Sequence, residues 1–224
     1  KVVSKRVPLV AGIGGNSTQE VIDTLSQFHI HGFDGILSVA PYYNKPTQNG
    51  LYTHFQAIAE ASPLPVILYN IPGRTGTNMT AETTLRLAHD YKNIIGIKES
   101  TDNFMQLNQI LKDKPSDFIL TSGDDPLALP LIAMGAVGVI SVIGNAIPKT
   151  LSTMIHLCLQ GNFKEARRLH YKMLEFTKLV FAEGNPSGIK AALKQKGICE
   201  DYLRLPLVNV SHDLNNEIIR ELEH

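Results

Sequence analysis

The sequence predicts an α/β protein built on a parallel sheet, and three observations carry that prediction. Short apolar runs rich in β-branched residues recur at 7–11, 35–39, 66–69, 94–98, 118–121 and 137–142. Stretches of helical periodicity separate them, so each strand is followed by a helix that brings the chain back to run parallel. After residue 142 the alternation stops, and 148–160, 162–183 and 186–195 read as successive helices with no strand between them.

The elements follow in order. No Met and no leader precede the first strand, over 7–11. A helix over 18–29 opens with Ser17 or Thr18 as its cap, while His29 and His31, just before Gly32, read as surface or C-terminal cap residues. The strand over 35–39 runs into Pro41-Tyr42-Tyr43-Asn44-Lys45-Pro46, after which a helix over 48–60 places Leu51, Phe55 and Ile58 at helical spacing. The strand over 66–69 ends in Tyr69-Asn70-Ile71-Pro72-Gly73-Arg74-Thr75-Gly76, and Thr80 caps a helix over 80–89. The strand over 94–98 ends in Lys98-Glu99-Ser100, before a helix over 103–111 behind Asp102. The strand over 118–121 ends in Thr121-Ser122-Gly123-Asp124-Asp125. The uncharged stretch 126–148 holds Pro130, Gly135, Gly138, Gly144 and Asn145, so it reads as a short buried helix and a buried strand rather than a membrane span.

Composition narrows the partners. The 21 Lys+Arg balance the 21 Asp+Glu, which leaves no broad basic field for nucleic acid or an anionic membrane, and the 43% hydrophobic content excludes a mainly disordered chain. Cys158 and Cys199 lack ligand spacing, so two reduced thiols in a cytoplasmic protein are expected, without a disulfide framework or zinc site.

Continuously apolar parallel strands suit either an open doubly wound sheet or part of a closed eight-stranded barrel. Gly12, Gly14 and Gly15 resemble half of a dinucleotide fingerprint, but Ser17 stands where its third glycine belongs and the next strand ends without an acidic residue. The barrel is the better reading, and in a barrel the chemistry gathers where strands end.

Lys98 is the most informative residue there. Alternation puts it on the face of Ile94 and Gly96, where an apolar surrounding favours the neutral amine that attacks a carbonyl. A lysine snorkelling from a strand end is the plainer alternative. The Tyr69 phenol can donate and accept a proton, or simply pack the barrel mouth. Arg74, in a glycine-flanked loop, offers a fork for a carboxylate or lies solvated. Tyr42 and Tyr43 seal a turn or project an aromatic contact. Asp124 and Asp125 lack a third ligand, so an acidic cap for a helix starting at Pro126 explains them better than a metal.

Taken together, PYYNKP, LYNIPGRTG, IIGIKES and SGDD, in this order and spacing, closely resemble the dihydrodipicolinate synthase family, within the pyruvate-dependent class I aldolase and N-acetylneuraminate lyase superfamily. The similarity runs from Val7 to Leu205-Pro206. The resemblance implies a TIM (β/α)8 barrel and a lyase that condenses pyruvate with L-aspartate 4-semialdehyde, the first committed step toward diaminopimelate and lysine. It implies that Lys98 forms a Schiff base with pyruvate, that Tyr69 relays protons, and that Tyr43 is the second relay tyrosine, reaching into a neighbouring subunit's site. Arg74 matches the arginine that receives the aldehyde substrate's carboxylate, and Gly123 and Ile140 match positions lining the pyruvate pocket. Asn16, Glu20 and Tyr42 match the feedback site of lysine-regulated members, although Asn16 and Glu20 equally suit the start of a helix. No cofactor or metal is implied, because the iminium is itself the electron sink. A cytoplasmic homotetramer built from tight dimers is implied as well.

One departure stands out. The family's Gly-Thr-Thr-Gly-Glu motif, whose first threonine bridges the relay tyrosines and whose second binds the pyruvate carboxylate, occurs nowhere in the sequence. Six strand signals in 224 residues leave an eight-stranded barrel two βα units short. The expectation is therefore a longer synthase without its first two units: residues 1–147 supply strands three to eight, and 148–224 a helical appendage that includes the last barrel helix. A pyruvate aldolase cleaving 2-keto-3-deoxy sugar acids or sialic acid, and a non-catalytic remnant, are the alternatives.

Overall fold

A computed structural model describes residues 2–29 and 31–222 of the chain. The chain forms two compact units, one running to Gly123 and taking in Met134–Val137, the other comprising Asp124–Ala133 and the chain from Gly138 onward.

In the first unit β1 (Val10–Gly12), β2 (Gly35–Val39), β3 (Val66–Asn70), β4 (Ile94–Glu99) and β5 (Ile119–Ser122) form one parallel sheet in the order 1-2-3-4-5. Each strand pairs with its sequence neighbour and the order never reverses. A doubly wound sheet binds its nucleotide where the order does reverse, so this sheet offers no such crevice.

The helices between strands are α1 (Thr18–Gln27), α2 (Gln48–Ala61), the short α3 (Pro72–Thr75), α4 (Ala81–Asp90) and α5 (Phe104–Asp113). Thr47 and Thr80 cap α2 and α4 through the N–H groups of Gly50 and Thr83, at 3.2 and 3.3 Å. Ser17, not Thr18, caps α1, and Asn103, not Asp102, caps α5, accepting from Gln106 N–H at 3.1 Å. Ile36, Leu68, Ile97 and Leu120 on one sheet face are at most 1% exposed, and the helices bury Leu51, Phe55, Ile58, Leu87, Leu107 and Ile110 completely. Each such side chain contributes roughly 1.5–3 kcal/mol of burial. The opposite face carries Leu37, Val39, Tyr69, Lys98 and Thr121, all half-buried.

Two strand expectations need correction. The first strand starts at Val10 rather than residue 7, because Leu9 is tied to Asp34, donating its N–H to the carboxylate at 2.8 Å and accepting from Asp34 N–H at 2.7 Å. The strand expected over 137–142 does not form. Val137 donates to Leu120 O at 2.9 Å, as a sixth parallel strand would begin, but only Val139 is in a bridge, and Ile143–Asn145 closes into a 3₁₀ turn. The Ser141 hydroxyl accepts from Gly144 N–H at 2.8 Å and favours that turn over continued extension.

A third correction concerns β4. Its register shifts by one residue, pairing Ile94 with Val66 but Gly96 with Ile67. This bulge puts Ile94 on the face of Leu68 and Asn70, so Lys98 shares its face with Gly96 and not with Ile94.

The second unit is helical. It holds all but the last residue of α6 (Ala128–Met134), then α7 (Pro148–Leu159), α8 (Phe163–Ala182), α9 (Ser187–Gln195) and α10 (His212–Leu222). The first four lie where periodicity places them. The fifth, α10, was not expected; it packs on α8 and α9 through the buried Leu214 and Ile218, with Ser211 Oγ accepting from Leu214 N–H at 3.3 Å. Among the described residues no helix is long and apolar enough to cross a membrane.

Candidate active site

The parallel register builds the centre of the site. Tyr69, Lys98 and Thr121 are in register on β3, β4 and β5, so three polar side chains stand in a row on the half-buried face. Lys98 Nζ lies 3.9 Å from the centroid of the Tyr69 ring, in cation–π geometry. The lysine therefore turns toward its tyrosine neighbour rather than straight out to solvent.

Gly123, directly after β5, completes the centre. Its N–H donates to Glu99 O at 2.7 Å, which draws the ends of β4 and β5 together. A Cβ at this position would overlap Ser100 Oγ and come within 2.8 Å of Lys98 Cε, so only glycine leaves the lysine stem its room. Gly96, on the same face as Lys98, serves the strand pairing instead. A Cβ there would meet Ile119 Cγ1 and, at 2.7 Å, Ile119 O, so Gly96 permits close strand pairing rather than space beside the lysine.

Two loops rise beside these strand ends. Tyr43 has φ +72 and is 88% exposed, an uncommon conformation for a non-glycine residue, and its N–H donates to Thr75 O at 3.4 Å. Arg74 is exposed within α3, which ends on Gly76 at φ +72. A Cβ on Gly76 would press on Lys45 Cε at 3.1 Å, so the two loops lie against each other. Thr75 Oγ1 donates to Ile71 O or Thr77 O and accepts from Thr77 N–H at 3.2 Å, fixing the turn that carries Arg74.

The tyrosine loop also meets the start of α1. Asn44 Nδ2 donates to Asn16 O at 2.8 Å, which puts Asn16 beside the loop bearing the 45%-exposed Tyr42; Glu20 is exposed in the first turn of α1. Ile140 belongs to the second unit, half-buried just after Val139. In that unit Asp125 accepts from the N–H groups of Val142 and Ile143 at 3.0 and 3.1 Å, so its carboxylate fastens the 3₁₀ turn instead of capping a helix at Pro126. The helix itself begins at Ala128.

Behind the lysine lies a polar cluster that sequence reasoning left without a role. Glu99 is fully buried on the helix-covered face; its two oxygens accept from Asn70 Nδ2 at 2.9 Å and Gln106 Nε2 at 3.1 Å. Asn78 joins both partners, accepting from Asn70 at 2.8 Å and donating to Gln106 Oε1 at 2.8 Å. Burial pushes the Glu99 carboxyl up to about 7 despite these hydrogen bonds, which favour the charged form. Asn70 and Glu99 were visible as polar residues at strand ends, but nothing in the sequence brings Asn78 and Gln106 to them. Ser100, one residue further on, was equally visible and equally unassigned.

The Dihydrodipicolinate synthetase family has a sequence model that matches residues 1–224. A 4-hydroxy-tetrahydrodipicolinate synthase of Phocaeicola vulgatus is 54% identical over 206 residues, covering 92% of this chain and 69% of that protein. Among solved structures, dihydrodipicolinate synthase from Aquifex aeolicus matches with TM-score 0.95 at 41% identity, over 99% of this chain and 75% of that one. The enzyme from Cyanidioschyzon merolae, solved with lysine bound, matches with TM-score 0.93 at 42% identity, over 96% of this chain and 73% of that one.

Proposed function

The chain belongs to the dihydrodipicolinate synthetase family, and from that premise we propose that it condenses pyruvate with L-aspartate 4-semialdehyde through a Schiff base on Lys98. The single observation that carries this reading is the placement of Lys98: at the end of a parallel strand, on the half-buried face, in register with Tyr69 and cleared by Gly123.

The neutral Lys98 amine adds to C2 of pyruvate, and the carbinolamine loses water to give an iminium. Loss of a methyl proton gives the enamine, which attacks the aldehyde; the substrate amine then displaces the lysine and closes the ring. The iminium takes up the electron pair, so the chemistry calls for no metal or nucleotide. Tyr69, against Lys98, is the proton relay, and the exposed Tyr43 serves the site of a second copy in a homotetramer of tight dimers. Arg74, on its fixed turn, receives the carboxylate of the aldehyde substrate, and Gly123 lines the pyruvate pocket. Asn16, Glu20 and Tyr42 form a lysine feedback site, a reading supported by Asn16 lying against the tyrosine loop and by the lysine-bound relative. The five strands and the 137–142 segment correspond to strands three to eight of a (β/α)8 barrel over 1–147; residues 148–224 add the last barrel helix and a helical appendage. The compartment is the cytoplasm, as befits a biosynthetic enzyme.

Pyruvate with borohydride should add a reduced pyruvyl group at Lys98, located by peptide mass spectrometry and absent from Lys98→Ala. A folded wild-type protein that stays unmodified overturns the mechanism. Arg74→Ala should leave this trapping intact while cutting turnover of the aldehyde; equal loss of both would remove Arg74 from its role.

A further inference from the structure

Ser100 lies two residues beyond Lys98, where β4 gives way to the loop. Its hydroxyl oxygen is buried and has no hydrogen-bond partner among the described residues. Its backbone N–H is engaged, donating to Asn70 O at 2.9 Å. A hydroxyl taken out of water without a partner is costly, whereas alanine would fill the same space without that cost. What serine adds here is therefore a hydrogen-bonding group directed at something other than the fold.

Its surroundings say what. A Cβ on Gly123 would overlap Ser100 Oγ and lie 2.8 and 3.1 Å from Lys98 Cε and Cγ, so the hydroxyl and the lysine stem border the same clearance. The hydroxyl thus stands beside the stem of the reactive lysine. Of a 2-oxo acid joined to Nζ, the oxygen derived from the C2 carbonyl lies two bonds from the nitrogen and the carboxylate oxygens three, so the C2 oxygen comes nearest to that stem.

We propose that Ser100 is a further catalytic residue, whose hydroxyl hydrogen-bonds the C2 oxygen of the 2-oxo acid as the adduct forms on Lys98. This rests on the Schiff-base reading above. As the C–N bond forms, the carbonyl π pair moves to oxygen, and Ser100 donates a hydrogen bond to the developing charge. The oxygen takes one proton from the nitrogen that has added and a second through Tyr69, and as it leaves as water the nitrogen lone pair closes the C=N bond to give the iminium. Ser100 is unchanged over the two steps, and no proton is consumed from it.

Single-turnover borohydride trapping with pyruvate, followed by intact mass, tests this on wild type, Ser100→Ala and Lys98→Ala, with the thermal midpoint of each free protein measured alongside. Ser100→Ala should form the adduct about tenfold more slowly, the worth of one hydrogen bond to a charged group, with a midpoint equal to or above wild type. Trapping of Ser100→Ala at the wild-type rate overturns the proposal while leaving Lys98 in its role. A lowered midpoint overturns it too, by showing that the hydroxyl is bonded in the free protein and acts structurally. A wild type that is not labelled, or a Lys98→Ala that is, overturns the Schiff-base reading and with it this one.

Discussion

Lys98 and Glu99 are consecutive on β4 and face opposite sides of the sheet, the amine 3.9 Å from the Tyr69 ring centroid and the carboxylate inside a cage of amides from Asn70 and Gln106. One strand thus holds a nucleophilic amine on its open face and a buried acid on its sealed face. Because Asn70 and Glu99 pair in register just as Tyr69 and Lys98 do, the cage and the reactive pair share the same two strand ends.

Glu99 makes stability depend on pH in a stated direction. Its carboxyl titrates at about 7 in the folded protein against an ordinary value of 4.5. Between those values the folded chain holds a proton that the unfolded chain has released, so the contribution is full below pH 4.5 and is lost as pH rises through 7. The loss amounts to roughly 3 kcal/mol. Glu99→Gln cannot titrate and removes this slope. Urea unfolding from pH 4 to 8 should show the stability difference between wild type and variant changing across that window in the variant's favour as pH rises; a constant difference would mean that folding leaves the Glu99 pKa unshifted.

His54 works the other way. It is buried in α2 with Nδ1 2.9 Å from Thr18 Oγ1, and burial lowers its pKa from 6.5 to about 4. The folded chain keeps it neutral while the unfolded chain protonates it, so its contribution is full above pH 6.5 and is lost as pH falls through 4. The two slopes overlap with opposite sign and similar size. Wild-type stability should consequently vary little between pH 5 and 6.5 on account of these groups. Glu99→Gln should expose a rise with pH and His54→Gln a fall. Parallel curves for the two variants would refute the pairing.

Gly96 tests the strand contact rather than the chemistry. A methyl there meets the backbone of β5 at Ile119 O, which cannot swing aside as a side-chain end can. Gly96→Ala should destabilise the protein by at least about 2 kcal/mol, read as a lowered urea midpoint, while protein that remains folded still traps pyruvate.

How far the sequence reveals this molecule depends on whether a feature is local. Strand-then-helix rhythm places five strands, and the Thr80 cap fixes the start of α4, because period and cap chemistry act within a few residues. Lys98 and Tyr69 could be singled out because each ends an apolar run. The bulge at β4 escaped, since a one-residue slip in register depends on the neighbouring strand and leaves the apolar run unchanged. The same holds for the amide cage: Gln106, on α5, and Asn78, in the loop before α4, reach the Glu99 cluster only through tertiary packing. Asp125 reads as a cap because its sequence neighbourhood suits one, yet its carboxylate's partners are Val142 and Ile143, 17 and 18 residues on. The sixth strand failed for a related reason, because its apolar run also suits the 3₁₀ turn that the Ser141 hydroxyl selects.

Gly123 offers the sharpest separation of activity from folding. The atoms that a methyl at this position would strike are the Ser100 hydroxyl and the Lys98 stem, both ends of side chains that can rotate away. Gly123→Ala is therefore expected to fold with a loss below about 2 kcal/mol, the low side of overpacking costs. The displaced lysine then leaves its place over Tyr69, and a shift of about 1 Å at a reacting group costs on the order of a hundredfold in rate. Borohydride trapping should accordingly fall by that order while the urea midpoint moves little. The opposite result, a large drop in stability with trapping preserved in the folded fraction, would show that Gly123 serves the β4–β5 junction alone and that the lysine does not depend on it.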